Sequence, residues 1–154
     1  MTDEGRLVQP GEELVLVRGA TEMESLQGHH ILQGICAETA GAKGLCLNLI
    51  HIPPGGRALA HVHPHHESAV YMIEGEAIAW YGLEMQYSLR MVAGDFVYIP
   101  AGVPHLPVNA SQTTPVTALV ARTDPYEHEA MTLLPALDER VRAQEHAGLA
   151  QEVR

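Results

Sequence analysis

From residue 14 to residue 122 the chain is written in short apolar runs, each closed by glycine, proline or charged residues. Runs of this length with β-branched and aromatic residues, punctuated by turn formers, favour strands over helices. The candidates are Leu14–Val17, His30–Cys36, Gly44–Ile52, Arg57–His63, Glu67–Ile73, Ala77–Tyr81, Gln86–Val92, Phe96–Ile99, Leu106–Val108 and Val116–Arg122. Gly44–Ile52 carries its leucines and isoleucines in a period-2 frame. Pro53-Pro54-Gly55-Gly56, Glu74-Gly75-Glu76 and Ala93-Gly94-Asp95 read as turns between strands. Eight or more strands at this spacing predict an all-β sandwich or barrel.

The tail is different. Ala136–Ala147 lacks β-branched runs and is rich in Ala, Glu, Arg, Leu and Gln, with Pro135 before it and Gly148 after it. That pattern predicts one short C-terminal helix. Its apolar face, Leu137 and Val141, is narrow, so the helix is expected on the surface or against a partner subunit. The chain thus divides into an N-terminal arm with one strand (1–29), a barrel (30–122) and a C-terminal extension with the helix (123–154).

A length of 154 residues suits one domain with its own core. The net charge of -10 argues against nucleic acid and anionic membrane surfaces as partners. Apolar runs such as LVLV at 14–17 are far too short to span a bilayer, and the acidic start MTDEGRLVQPGEE is unlike a secretory signal. Cys36 and Cys46 form no CxxC motif and read as buried thiols. A cytoplasmic protein is expected.

The chemistry-bearing residues concentrate in two places. His61, His63, His65 and His66 put four of the chain's 10 histidines within six positions, with Glu67 next to them. His105 follows the stretch Pro100-Ala101-Gly102. Side chains two apart on a strand share a face, so His61 and His63 point the same way, and Glu67 keeps that parity if the segment stays extended. Imidazole and carboxylate donors suit one divalent transition metal, whether Fe, Mn, Ni, Zn or Cu. No nucleophile elbow, P-loop or dinucleotide-binding glycine motif is present.

These segments resemble the two signature motifs of the cupin superfamily, G-x5-H-x-H-x3/4-E-x6-G and G-x5-P-x-G-x2-H-x3-N. Gly94, Pro100, Gly102, His105 and Asn109 meet the second in full. Gly55, His61, His63 and Glu67 meet the first, but seven residues separate Glu67 from Gly75, and the expected glutamate slot holds Ser68. The resemblance implies a double-stranded β-helix, or jelly-roll barrel, with His61, His63, Glu67 and His105 facing inward around one divalent metal. A bulge after Glu67 would turn its carboxylate inward. Asn109 reads as a turn residue bonding local backbone.

Three further residues are candidates for catalysis. His65 could replace Glu67 or shuttle protons. Arg57 could reach the barrel mouth and pair with a substrate carboxylate. Tyr71 would line the cavity if Glu67 sets the frame. His29 and His30 read as surface residues. The resemblance implies a metal-dependent enzyme on a small, oxygen-rich organic substrate, neutral or anionic, such as a dioxygenase, isomerase or lyase. The alternative is a non-catalytic sensor or binding cupin for a sugar or other small molecule. A homodimer is expected, since the arm and the helix offer material for strand pairing or swapping.

Overall fold

The computed structural model describes residues 14–25, 28–126 and 131–148. Most of the expected arm therefore lies outside the described residues. The strands are β1 (Glu22–Glu24), β2 (His30–Ile35), β3 (Cys46–Ile52), β4 (His61–Val62), β5 (Ser68–Glu74), β6 (Glu76–Tyr81), β7 (Tyr87–Val92), β8 (Phe96–Ile99), β9 (His105–Asn109), β10 (Val116–Arg122) and β11 (Thr132–Leu133). Two helices join them, α1 (Ala37–Ala40) and α2 (Pro135–His146). The strands form two antiparallel sheets, in the orders β1-β2-β3-β10-β5-β8 and β11-β4-β9-β6-β7. This is the expected all-β jelly roll with a C-terminal helix.

Two expectations about local structure change. Leu14–Val17 is not a strand: Leu16 makes an isolated bridge, and Leu14 is almost fully exposed, with no face to bury. Cys36 does not extend β2 but serves as the N-cap of α1, where its amide donates to Thr39 Oγ1 at 3.0 Å. Cys36 and Cys46 are buried and unlinked, as expected.

The strand register decides what faces inward. On β6, Ala77 and Ala79 pack into the space between the sheets, while Ile78 and Trp80 pack outward. The inner cluster centres on Ile52, Met72, Ala77, Met91, Val116 and Ala118. The outer one, Ala60, Trp80, Met85, Leu106 and Val141, is closed by α2. The helix therefore rests on the barrel of its own chain. Asp138 accepts the Ala60 amide at 3.1 Å, and the Gln144 amide donates to Met85 O at 3.0 Å.

Glycine is required at the β5–β6 turn. Gly75 has φ of 85°, and an added Cβ would lie 2.2 Å from the Pro115 carbonyl oxygen. Beside it, Asn109 behaves as its motif position predicted. Its amide nitrogen donates to Ile52, Pro53 and Thr114 carbonyls at 3.1, 3.0 and 2.9 Å, and its Oδ1 accepts from the Ser111 amide. One buried side chain thus ties the segment after β3 to the β9–β10 connection, at the end of the barrel remote from the histidines.

Candidate metal centre

β4 and β9 meet at the pair His61↔His105, and His63 follows two residues on. The tight turn after Pro100 brings His105 there: Gly102, with φ of 79°, donates its amide to His63 O at 2.9 Å. The three rings converge, with centroids 4.2 Å apart for His61 and His105 and 5.2 Å for His61 and His63. One ligating nitrogen from each lies within 4.8 Å of the others. All three side chains are buried.

The protonation pattern suits ligation. His61 Nδ1–H donates to Leu59 O at 2.7 Å and His105 Nδ1–H to Val103 O at 2.9 Å. Carbonyls only accept, so each bond fixes the tautomer and leaves Nε2 with its lone pair. His63 Nε2 is buried with no hydrogen-bond partner. Burial, then His105, holds His61 well below the usual imidazole value. Burial, then the charge of Arg122, takes His63 down to about 3. Burial outweighs the Val103 hydrogen bond and takes His105 to about 4. Three neutral imidazoles at neutral pH, one with an orphaned nitrogen, are the donor set a divalent transition metal needs.

Glu67 is not brought into this group. β5 begins at Ser68, which pairs with Ile99 and Arg122 in a regular ladder. The bulge expected after Glu67 falls elsewhere, at the register shift between Thr117 and Ala118 near the far end of β5. Ser68 is therefore the inward residue, buried and bonded to Arg122 Nε at 3.2 Å. Glu67 is exposed, and its carboxylate accepts from the Tyr98 hydroxyl at 2.9 Å. That bond raises the Tyr98 pKa, keeping the phenol protonated.

The catalytic candidates are likewise outside the cavity wall. Tyr71 lies on the outer face of β5, its ring 4.6 Å from that of Phe96. The parity set from Ser68, not Glu67, turns it outward. Arg57 is ion-paired with Glu145 on α2 at 2.8 Å. His65 is exposed.

The inner cluster does not fill the space between the sheets. A cavity of about 380 Å³ remains, running from the histidines to an aliphatic floor that includes Ile52, Met72, Met91 and Val116. The polar side chains along its wall include His29, His61, His105, Ser68 and Arg122. His29 corrects the sequence reading, which took it for a surface residue. It is only 2% exposed, because the turn between β1 and β2 carries it into the cavity wall. No signal in the sequence separates it from its exposed neighbour His30.

Residues 48–122 match the family model of the cupin domain. No curated protein sequence matches the chain. Among solved structures, it is similar to a sugar phosphate isomerase of the cupin superfamily from Silicibacter pomeroyi. That match has 28% identity and a TM-score of 0.52, over 62% of this chain and 59% of that one. A polyketide cyclase from Streptomyces resistomycificus aligns at 19% identity and TM-score 0.65, over 86% of this chain and 94% of that one. Oxalate decarboxylase from Lactobacillus farciminis aligns at 20% and 0.63, over 85% of this chain but 39% of its own length. The last two share the fold.

Proposed function

The chain belongs to the cupin superfamily, and from that premise we propose that it is a metal-dependent enzyme acting on a small oxygen-bearing organic molecule. The observation that carries this reading is the convergence of three buried, neutral imidazoles, two of which, His61 and His105, line the cavity between the sheets. His61, His63 and His105 are the proposed ligands of one divalent transition metal. When bound, such an ion acts as a Lewis acid or, if redox-active, supports oxygen chemistry.

The chain's own residues prepare the site. Leu59 and Val103 carbonyls hold His61 and His105 with Nε2 presented. The aliphatic walls exclude water and strengthen every electrostatic contact inside. Tyr98 gives its hydroxyl to Glu67 on the outer face of β8, away from the cavity interior. Isomerisation, decarboxylation and oxygenation are all compatible with this arrangement. The similarity to a sugar phosphate isomerase supports an enzyme reading without selecting its substrate.

The working unit is taken as the barrel 30–122 with the flanking arm and extension. A cytoplasmic location is supported by the two unlinked thiols. A homodimer is supported by exposed Phe96, Tyr98, Tyr71 and Ile73 on edge strand β8 and its neighbour β5. Light scattering tests the dimer; a monomer at micromolar concentration contradicts it.

The enzyme reading is tested by turnover and oxygen uptake of the protein loaded in turn with Fe(II), Mn(II) and Zn(II), across keto acids, phenols and sugar phosphates. Turnover by one metal form, lost in His105→Ala, is the expected result. Ligand-induced stabilisation without turnover of any compound would favour the sensor reading instead.

A further inference from the structure

His29 stands apart from the other buried histidines. Neither of its ring nitrogens has a hydrogen-bond partner among the described residues. His61 and His105 each commit one nitrogen to a backbone carbonyl and present the other to the candidate metal centre. His29 has neither use, since it lies outside that ligating group. The backbone fixes its place instead. The Ser25 amide donates to His29 O at 2.9 Å, and Gly28, with φ of 85°, turns the chain toward β2. Ile31 pairs with Ile50, which lines the cavity, and His29, two residues earlier, shares that face. The ring accordingly forms part of the cavity wall.

A buried polar group without a partner is a standing cost to the fold, and in a cavity wall a ligand atom can remove it. The ring dictates what that atom must be. A neutral imidazole, the form that burial favours, has one N–H donor and one bare acceptor nitrogen, and its two tautomers exchange them. A carbonyl or ether oxygen suits only the tautomer that turns N–H toward the cavity. A hydroxyl accepts from one tautomer and donates to the other, so it satisfies whichever nitrogen it meets. Elsewhere the wall is largely apolar, with Ile50, Ile52, Met72, Leu89, Met91 and Val116 among its residues. The volume of about 380 Å³ exceeds the roughly 150 Å³ that encloses a benzene ring, so one ring with a polar group fits.

We propose that His29 is a specificity residue that binds the hydroxyl group of a ligand whose apolar body is about the size of one aromatic ring. The hydroxyl meets the His29 imidazole, and the body lies against the aliphatic wall. A site whose buried polar group needs a partner discriminates against a ligand of the same shape that lacks one. The residue comes from the β1–β2 turn, outside both signature motifs. This deepens the enzyme reading by naming a substrate class, and it rests on that reading for chemistry but not for binding.

Calorimetric titration of the chelator-treated protein with phenol, anisole and toluene tests this. Phenol and toluene share a shape, anisole can only accept, and phenol alone both donates and accepts. Toluene is the most apolar of the three, so a cavity without a polar partner would favour it. Phenol is expected to bind about fivefold more tightly than toluene, or better, and more tightly than anisole. In His29→Leu the order should reverse, with phenol affinity down by about fivefold or more and toluene affinity unchanged. If that variant does not fold, His29→Phe carries the same expectation. Toluene or anisole binding as tightly as phenol, a phenol preference that survives the loss of His29, or no binding of any probe overturns the proposal. Failure of the metal reading appears separately, as no stoichiometric zinc in the zinc-loaded protein, and leaves these affinities as they are.

Discussion

Strands β6 and β9 each present one face to the outer cluster and one to the cavity, and the two faces are packed to different ends. Outward, Trp80, Leu106 and Val108 meet Met85 and the helix residue Val141, with Met85, Leu106 and Val141 completely buried. Inward, Ala77, Ala79 and Pro107 face a cavity of about 380 Å³. Alanines at 77 and 79 on the inner face of β6 leave the interior open, while the exterior of the same sheet is sealed by α2. Close packing is the source of stability in cores. The outer cluster is therefore the chief buttress of the fold, and the inner face gives up packing for a binding space.

The largest difference between the two regions should appear with pH. Four buried histidines lie on the inner side, and His29, His63 and His105 have folded pKa values of about 4, 3 and 4 against an ordinary 6.5. The unfolded chain therefore takes up protons before the folded one does. Stability of the metal-free protein is full above about pH 6.5 and falls as pH drops toward 4, by up to about 1.4 kcal/mol per pH unit for each histidine. Urea unfolding at stepped pH measures it. His29→Phe should flatten the slope, and substitutions in the outer cluster should leave it unchanged.

Truncation comes next. Trp80→Ala should cost about 3–5 kcal/mol, because the outer cluster has no room to absorb the loss. Met72→Ala, on a wall that already borders open space, should cost less than half as much. The reverse order in denaturant midpoints would break the contrast. Overfilling gives the smallest effect and the sharpest sign. Ala60→Leu should lose about 1–3 kcal/mol by crowding Trp80 and Leu106. Ala118→Leu, on the cavity wall, should change stability by less than about 1 kcal/mol, because the added carbons enter open space.

How much of this was legible in the sequence varied with local order. His61 and His105 sit on strands and His63 just after β4, so parity and motif spacing anticipated that the three rings converge. Glu67 lies past the end of β4, in a loop whose geometry breaks the period-2 argument. There the count from Gly75 was the better guide, because it runs along β5 and points to Ser68. Tyr71 followed Glu67 into the wrong frame for the same reason. His29 was invisible because a turn residue has no periodicity to read. The helix was legible as a helix, but its partner was not. Leu137 and Val141 indicate a narrow apolar face, and only the fold shows that Trp80 and Met85 lie beneath it.

The proposed metal centre consists of His61, His63 and His105 without Glu67. Elemental analysis of the purified protein beside His61→Ala and Glu67→Gln tests it most directly. One equivalent of a divalent transition metal per chain, lost in His61→Ala and retained in Glu67→Gln, is the predicted result. A parent protein without stoichiometric metal, or a His61→Ala variant that keeps it, would contradict the claim.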